Sequence, residues 1–79
     1  MKLNVISPDR TLYEGEVEKV QLPGKDGRFG ILKGHAPLIA ALKAGKLDLT
    51  DDQGNPEEFE IKGGVVEVKK DLVMVLAEE

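Results

Sequence analysis

Cysteine is missing altogether from the 79 residues, and serine and histidine occur once each, as Ser7 and His35. Without a thiol the chain can form neither a disulfide nor a thiolate metal site. A domain this small must then hold itself together by apolar burial, or by a partner that completes it. A nucleophile is equally hard to find. Ser7 precedes Pro8 at the end of an extended segment, outside any Gly-x-Ser-x-Gly setting. His35 sits in a glycine-rich stretch, where Asp26 or Asp48 could orient it but could not supply the missing nucleophile. Aromatic residues make up only 4%, and Tyr13, Phe29 and Phe59 are too few for a stacking platform on nucleic acid. A basic excess is lacking too: 11 basic against 15 acidic residues leave a net charge of -4, the wrong sign for gripping phosphates. No apolar run approaches the ~20 residues of a spanning helix, and no signal-peptide core opens the chain. These absences predict one soluble, non-secreted domain over residues 1–79, with no catalytic residues, no cofactor and no nucleic-acid partner.

Two oxygen- or glycine-rich clusters invite a ligand and fall short of one. Asp51, Asp52, Asn55, Glu57 and Glu58 lack the alternating spacing and closing glutamate of a calcium loop, and read as a solvated hairpin tip that discourages edge pairing. Gly24-Lys25-Asp26-Gly27 places a lysine between glycines, yet the phosphate-loop pattern is incomplete and no helix follows. No metal site is expected.

What is present is a period of two. Leu3 and Val5 alternate with polar residues up to the Pro8-Asp9 turn. Leu12–Leu22 reads as a longer strand in which Val20 and Leu22 are in step with each other and out of step with Val17, so a bulge is expected near Glu18-Lys19. Lys46–Thr50 and Glu58–Lys62 alternate on either side of the 51–56 turn, with Phe59 and Ile61 inward. Gly63-Gly64 is expected to turn the chain into Val65–Val68, and Lys70-Asp71 to turn it again into Leu72–Ala77. That last segment is apolar on both faces and reads as a central, covered strand. Six or more short strands with frequent turns describe an all-β fold, a sandwich or a barrel. One segment dissents. Pro37–Gly45 has proline at a possible first helical position, many alanines and a terminal glycine, which favour about two turns of helix.

The residues between Phe29 and Ile39 mix apolar anchors with Lys33 and His35, a composition suited to a protein contact. Their wording, with that of the rest of the chain, resembles the N-terminal β-sandwich domain of the epsilon subunit of rotary ATP synthases. Tyr13-Glu14-Gly15-Glu16-Val17 is similar to its aromatic-x-Gly-x-Val strand. Val20-Gln21-Leu22-Pro23-Gly24 followed by Gly27–Leu32 matches its Leu-Pro-Gly and Gly-x-x-Gly-Ile-Leu pieces. Gly34-His35-Ala36-Pro37-Leu38, Ala41–Gly45, Gly63–Val68 and Val73–Ala77 follow in the same order.

The resemblance implies a two-sheet antiparallel β-sandwich in which the Pro37 segment is extended or only briefly helical. It also implies a rotor subunit of the central stalk, on the cytoplasmic side of an energy-transducing membrane, with no insertion into the membrane itself. Carried over by position, Ser7, His35, Leu38, Ile39 and Ala40 would face the gamma subunit, and Gly27, Arg28 and Phe29 the c-ring. Some family members have glutamate where Arg28 stands, and Lys33 replaces a proline before Gly-His, loosening that loop. Many members continue into a helical hairpin. This chain ends at Glu79, so the expectation is a short form that neither binds nucleotide nor restrains hydrolysis through such a hairpin. The other reading is a stand-alone adaptor that binds a peptide at an exposed strand edge.

Overall fold

Alternating side chains can bury one face of a strand only against another strand, and here six strands solve that problem together. The computed structural model describes residues 1–79 and contains β1 (Lys2–Ile6), β2 (Thr11–Gly24), β3 (Gly27–Leu32), β4 (Leu38–Asp51), β5 (Pro56–Lys69) and β6 (Leu72–Glu78). They form one hydrogen-bonded sheet in the order β1-β6-β5-β4-β2-β3, and a further pairing of β1 with β2 closes five strands into a ring. β3 hangs outside the ring on β2. The body measures 27 × 23 × 18 Å, a flattened ring of the sandwich kind that the resemblance implies. All pairings are antiparallel except β1 with β6, which is parallel. No helix is long and apolar enough to cross a membrane.

The strands are fewer and longer than their sequence punctuation suggests. β2, β4 and β5 each run for 14 residues. Gly63-Gly64, expected as a turn, lies inside β5, opposite Leu42 and Lys43 on one side and Ala77 and Glu78 on the other. Glycine is required there for another reason: Gly64 has a φ of 142°, and a Cβ would run into the Leu76 carbonyl oxygen. The pair is a site of close backbone approach within a strand, as strand glycines often are.

Pro37–Gly45 is not a helix. From Leu38 it forms the first half of β4, whose pairing with β5 holds one register from Leu38 opposite Val68 to Thr50 opposite Pro56. A two-turn helix is marginal alone, and this long ladder outweighs the local alanine preference. The bulge near Glu18 is present: Val17 faces Asp51 but Lys19 faces Thr50, so one residue is extra. That slip puts Val17, Val20 and Leu22 all in the core.

Sixteen residues form one buried cluster, among them Leu3, Val5, Ile31, Leu47, Ile61, Val66, Val73 and Val75. Tyr13 and Phe59 pack at its margin with ring centroids 6.2 Å apart. No charged or polar residue is buried. Two tip devices fix the ends of the ring. Asp51 Oδ1 accepts from the backbone N–H of Gln53 and Asn55, each at 2.9 Å, closing the β4–β5 turn. At the other junction Ser7 Oγ accepts from the N–H groups of Asp9 and Arg10, while the Arg10 guanidinium grips Glu79 at 2.6 Å.

Candidate functional site

The outer face of β4, β5, β6 and β1 carries apolar residues that nothing in the chain covers. The pleat sends Leu38, Ala40 and Leu42 inward and Ile39 and Ala41 outward; on β5, β6 and β1 the outward residues are Val65 and Glu67, Met74 and Leu76, and Asn4 and Ile6. Register assembles them into rows. Ala41, Val65, Leu76 and Ile6 make one continuous apolar row across four strands, and Ile39, Glu67, Met74 and Asn4 make the next. Ile39 is 72% exposed, Leu76 52% and Val65 41%. Beyond the rows charged residues flank the face, Lys43 and Glu78 on one side and, on the other, Lys69 and Lys2 with Leu72 between them. An apolar centre with a charged rim is the composition of a protein-docking surface.

Within this face Ile39, Val65, Glu67, Met74 and Leu76 line a shallow hollow of ≈ 170 Å³. The opposite outer face differs in character. There Lys19, Gln21, Asp48, Thr50 and Glu58 line an open polar surface, and Lys46 pairs with Glu58 at 3.7 Å. One face is thus built for water and the other is not.

The residues singled out from the sequence fall in several places. Ile39 is the most exposed large apolar side chain and lies within this bare apolar face. Ser7 borders it, beside Ile6 and Leu76. Leu38 and Ala40 are half-buried and pack on the core from the inner side of β4. His35 lies exposed in the β3–β4 connection, its backbone N–H donating to the Leu32 carbonyl at 3.0 Å and its Nδ1 2.6 Å from the Ala36 carbonyl oxygen. Gly27, Arg28 and Phe29 begin β3. Phe29 turns toward the core, and the Arg28 guanidinium reaches over β2 to the Asp48 carboxylate and the Lys46 carbonyl on β4. The β2–β3 hairpin tip abuts the docking face, since the Lys25 N–H donates to the Ala41 carbonyl at 2.9 Å. Much of the Phe29–Leu38 stretch is therefore strand, and only residues 33–37 form a loop.

Sequence reasoning passed over Ile6, Val65, Met74 and Leu76. Their signal was nevertheless there: Leu72–Ala77 is apolar on both faces. β6 is central, between β1 and β5 as expected, but its outer face lies bare. The chain supplies only half of the cover that such a strand calls for.

The titrating groups with shifted values belong to structure. Arg10 and then Ser7 hold the Glu79 carboxyl below its ordinary range, and the Asn55 and Gln53 amides do the same for Asp51. Burial, with help from Glu57, raises the Tyr13 phenol. No group of three or more His, Cys, Asp or Glu side chains converges as metal ligands would.

Comparison with known proteins agrees with the fold. The family model described as the ATP synthase, Delta/Epsilon chain, beta-sandwich domain matches residues 1–79. The ATP synthase epsilon chain of Chlorobium limicola is 44% identical over 78 residues, spanning 99% of this chain and 89% of that one. That of Dichelobacter nodosus is 43% identical over 75 residues, 95% of this chain and 52% of the longer relative. Among solved structures, a chain of the Euglena gracilis mitochondrial ATP synthase (OSCP/F1/c-ring, rotational state 1) superposes with a TM-score of 0.91 at 23% identity. That match covers 98% of this chain and 49% of the other. A chain of the Tetrahymena thermophila mitochondrial ATP synthase central stalk and c-ring gives 0.81 at 14% identity, over 100% and 63% of the two chains. At such identities the superpositions speak for the fold, while the family model and the epsilon chains speak for descent. This chain belongs to the ATP synthase Delta/Epsilon chain family and comprises its β-sandwich domain.

Proposed function

We propose that this chain is a non-catalytic rotor component of a rotary ATP synthase, docking on the gamma subunit through the outer face of β4, β5, β6 and β1 and resting its β2–β3 hairpin on the c-ring. The observation that carries the reading is the bare apolar row Ala41–Val65–Leu76–Ile6 with Ile39 beside it. In a member of this family, gamma is the partner that such a face fits. The solved relatives of like fold come from assemblies described as containing the c-ring or the central stalk. On this reading the chain acts by shape and adhesion, on the cytoplasmic side of the membrane. Apolar contacts centred on Ile39 and Leu76 hold it to gamma, with Ser7 at their rim and Leu38 and Ala40 stiffening β4 from beneath. His35 lies in the neighbouring connection. With Arg28 engaged by Asp48 and Phe29 packed on the core, the ring is met by the exposed tip Lys25-Asp26-Gly27.

Ile39→Asp places a charge in the middle of the face without touching the core. Co-purification with gamma is expected to be lost while the far-ultraviolet circular dichroism and the melting temperature stay near those of the parent. Retained co-purification would remove this surface from the model. The adaptor reading would use an unpaired strand edge, but β3 is only six residues long and is followed by Lys33. Residues 56–62 of β5, which pair with β4 alone, begin with Pro56 and carry Glu57, Glu58, Glu60 and Lys62; charged edges of this kind resist strand addition.

A further inference from the structure

Glu67 is the one ionisable residue inside the two apolar rows. It sits between Ile39 on β4 and Met74 on β6 and lines the hollow that those residues share with Val65 and Leu76. Its only ion partner is Lys69 on the same strand, at 3.9 Å, with that lysine side chain 64% exposed. Such a contact is loose and screened by water, and holds neither group in place. A partner that covers Ile39, Met74 and Leu76 would strip water from the Glu67 carboxylate as well, and a desolvated carboxylate without a counter-charge opposes association. Lys69 lies one row nearer the rim and does not line the hollow.

We infer that Glu67 selects the docking partner: the surface that seats on this face presents a lysine or arginine into the hollow, flanked by apolar side chains that cover Ile39, Val65 and Leu76. This rests on the docking reading above and adds the chemistry of the contact. Apolar area supplies adhesion without orientation, whereas a single buried ion pair fixes register and rejects surfaces that lack the cation.

The test is titration of the purified cognate gamma subunit with the parent chain and with Glu67→Gln, Lys69→Gln and Ile39→Asp, at about 50 and about 500 mM salt. Glu67→Gln is expected to weaken binding at least ~tenfold with its melting curve unchanged, and to abolish most of the salt dependence seen in the parent. Lys69→Gln should bind as the parent does. Binding by Glu67→Gln within about twofold of the parent, with Ile39→Asp inactive, would overturn the role of Glu67 and leave the docking face standing. An equal loss in Lys69→Gln would transfer the role to the internal pair, and a loss without any change in salt dependence would replace the cation by a neutral donor; either result overturns the inference. Unimpaired binding by Ile39→Asp would overturn the docking reading itself.

Discussion

At Gly64 the backbone takes a φ of 142° and any side chain would strike the Leu76 carbonyl oxygen. Gly64→Ala should therefore cost about 2 kcal/mol or more, combining backbone strain with displacement of β6. A melting temperature lower by about 10 °C is the expected reading for a chain of this size. Leu47 is fully buried in the common cluster, and Leu47→Ala should cost about 2–5 kcal/mol, seen as a lower urea midpoint with an unchanged slope. Two exposed carboxylates respond to acid. Both Glu79 and Asp51 have lowered folded values, so each binds its proton more readily in the unfolded chain. Their contribution is complete above the ordinary carboxylate range, near pH 4, and disappears as pH falls through the lowered folded values. Glu79→Gln and Asp51→Asn should each flatten the acid limb of a stability-against-pH curve, with little effect of pH on the difference between variant and parent above about 6.

The elements show which parts of the structure could be read from the chain. Strand identity was plain wherever one face alone is apolar, as in Glu58–Lys62, and even the bulge at Glu18 announced itself through the phase slip between Val17 and Val20. Boundaries were harder, because Gly63-Gly64 punctuates a sequence in the same letters whether it turns the chain or lets β6 come close. Pro37–Gly45 misleads for a related reason. Its alanines favour helix locally, while the decision belongs to β5, which lies far away until the ladder forms. The bare apolar face was legible only in part. Ile39 was picked out, but its neighbours Val65, Leu76 and Ile6 come from three other strands, and no spacing along one strand shows that register lines them up. At this scale, Val65→Asp, well separated from Ile39 in sequence but one row away in space, should reproduce the loss of gamma binding caused by Ile39→Asp in the same pull-down.

Taken whole, the molecule is a closed circuit whose first and last strands lie side by side. β1 needs both β2 and β6 to complete its hydrogen bonds, so the ring cannot close until nearly the entire chain is in place. Pairings this distant in sequence fold slowly and cooperatively. Removal of Leu72–Glu79 is expected to unfold the whole domain rather than free one edge, with amide exchange lost throughout β1 and β5 as well. The circuit has a mechanical consequence too. A hoop of paired strands around an apolar centre resists bending more than an open sheet of the same strands would. On the rotor reading proposed above, load arriving at the hydrophobic flank would pass to the hairpin beside it, through the Lys25–Ala41 hydrogen bond among others. Such a piece resembles a rigid washer, and whatever springiness a turning shaft needs must be stored in its other parts.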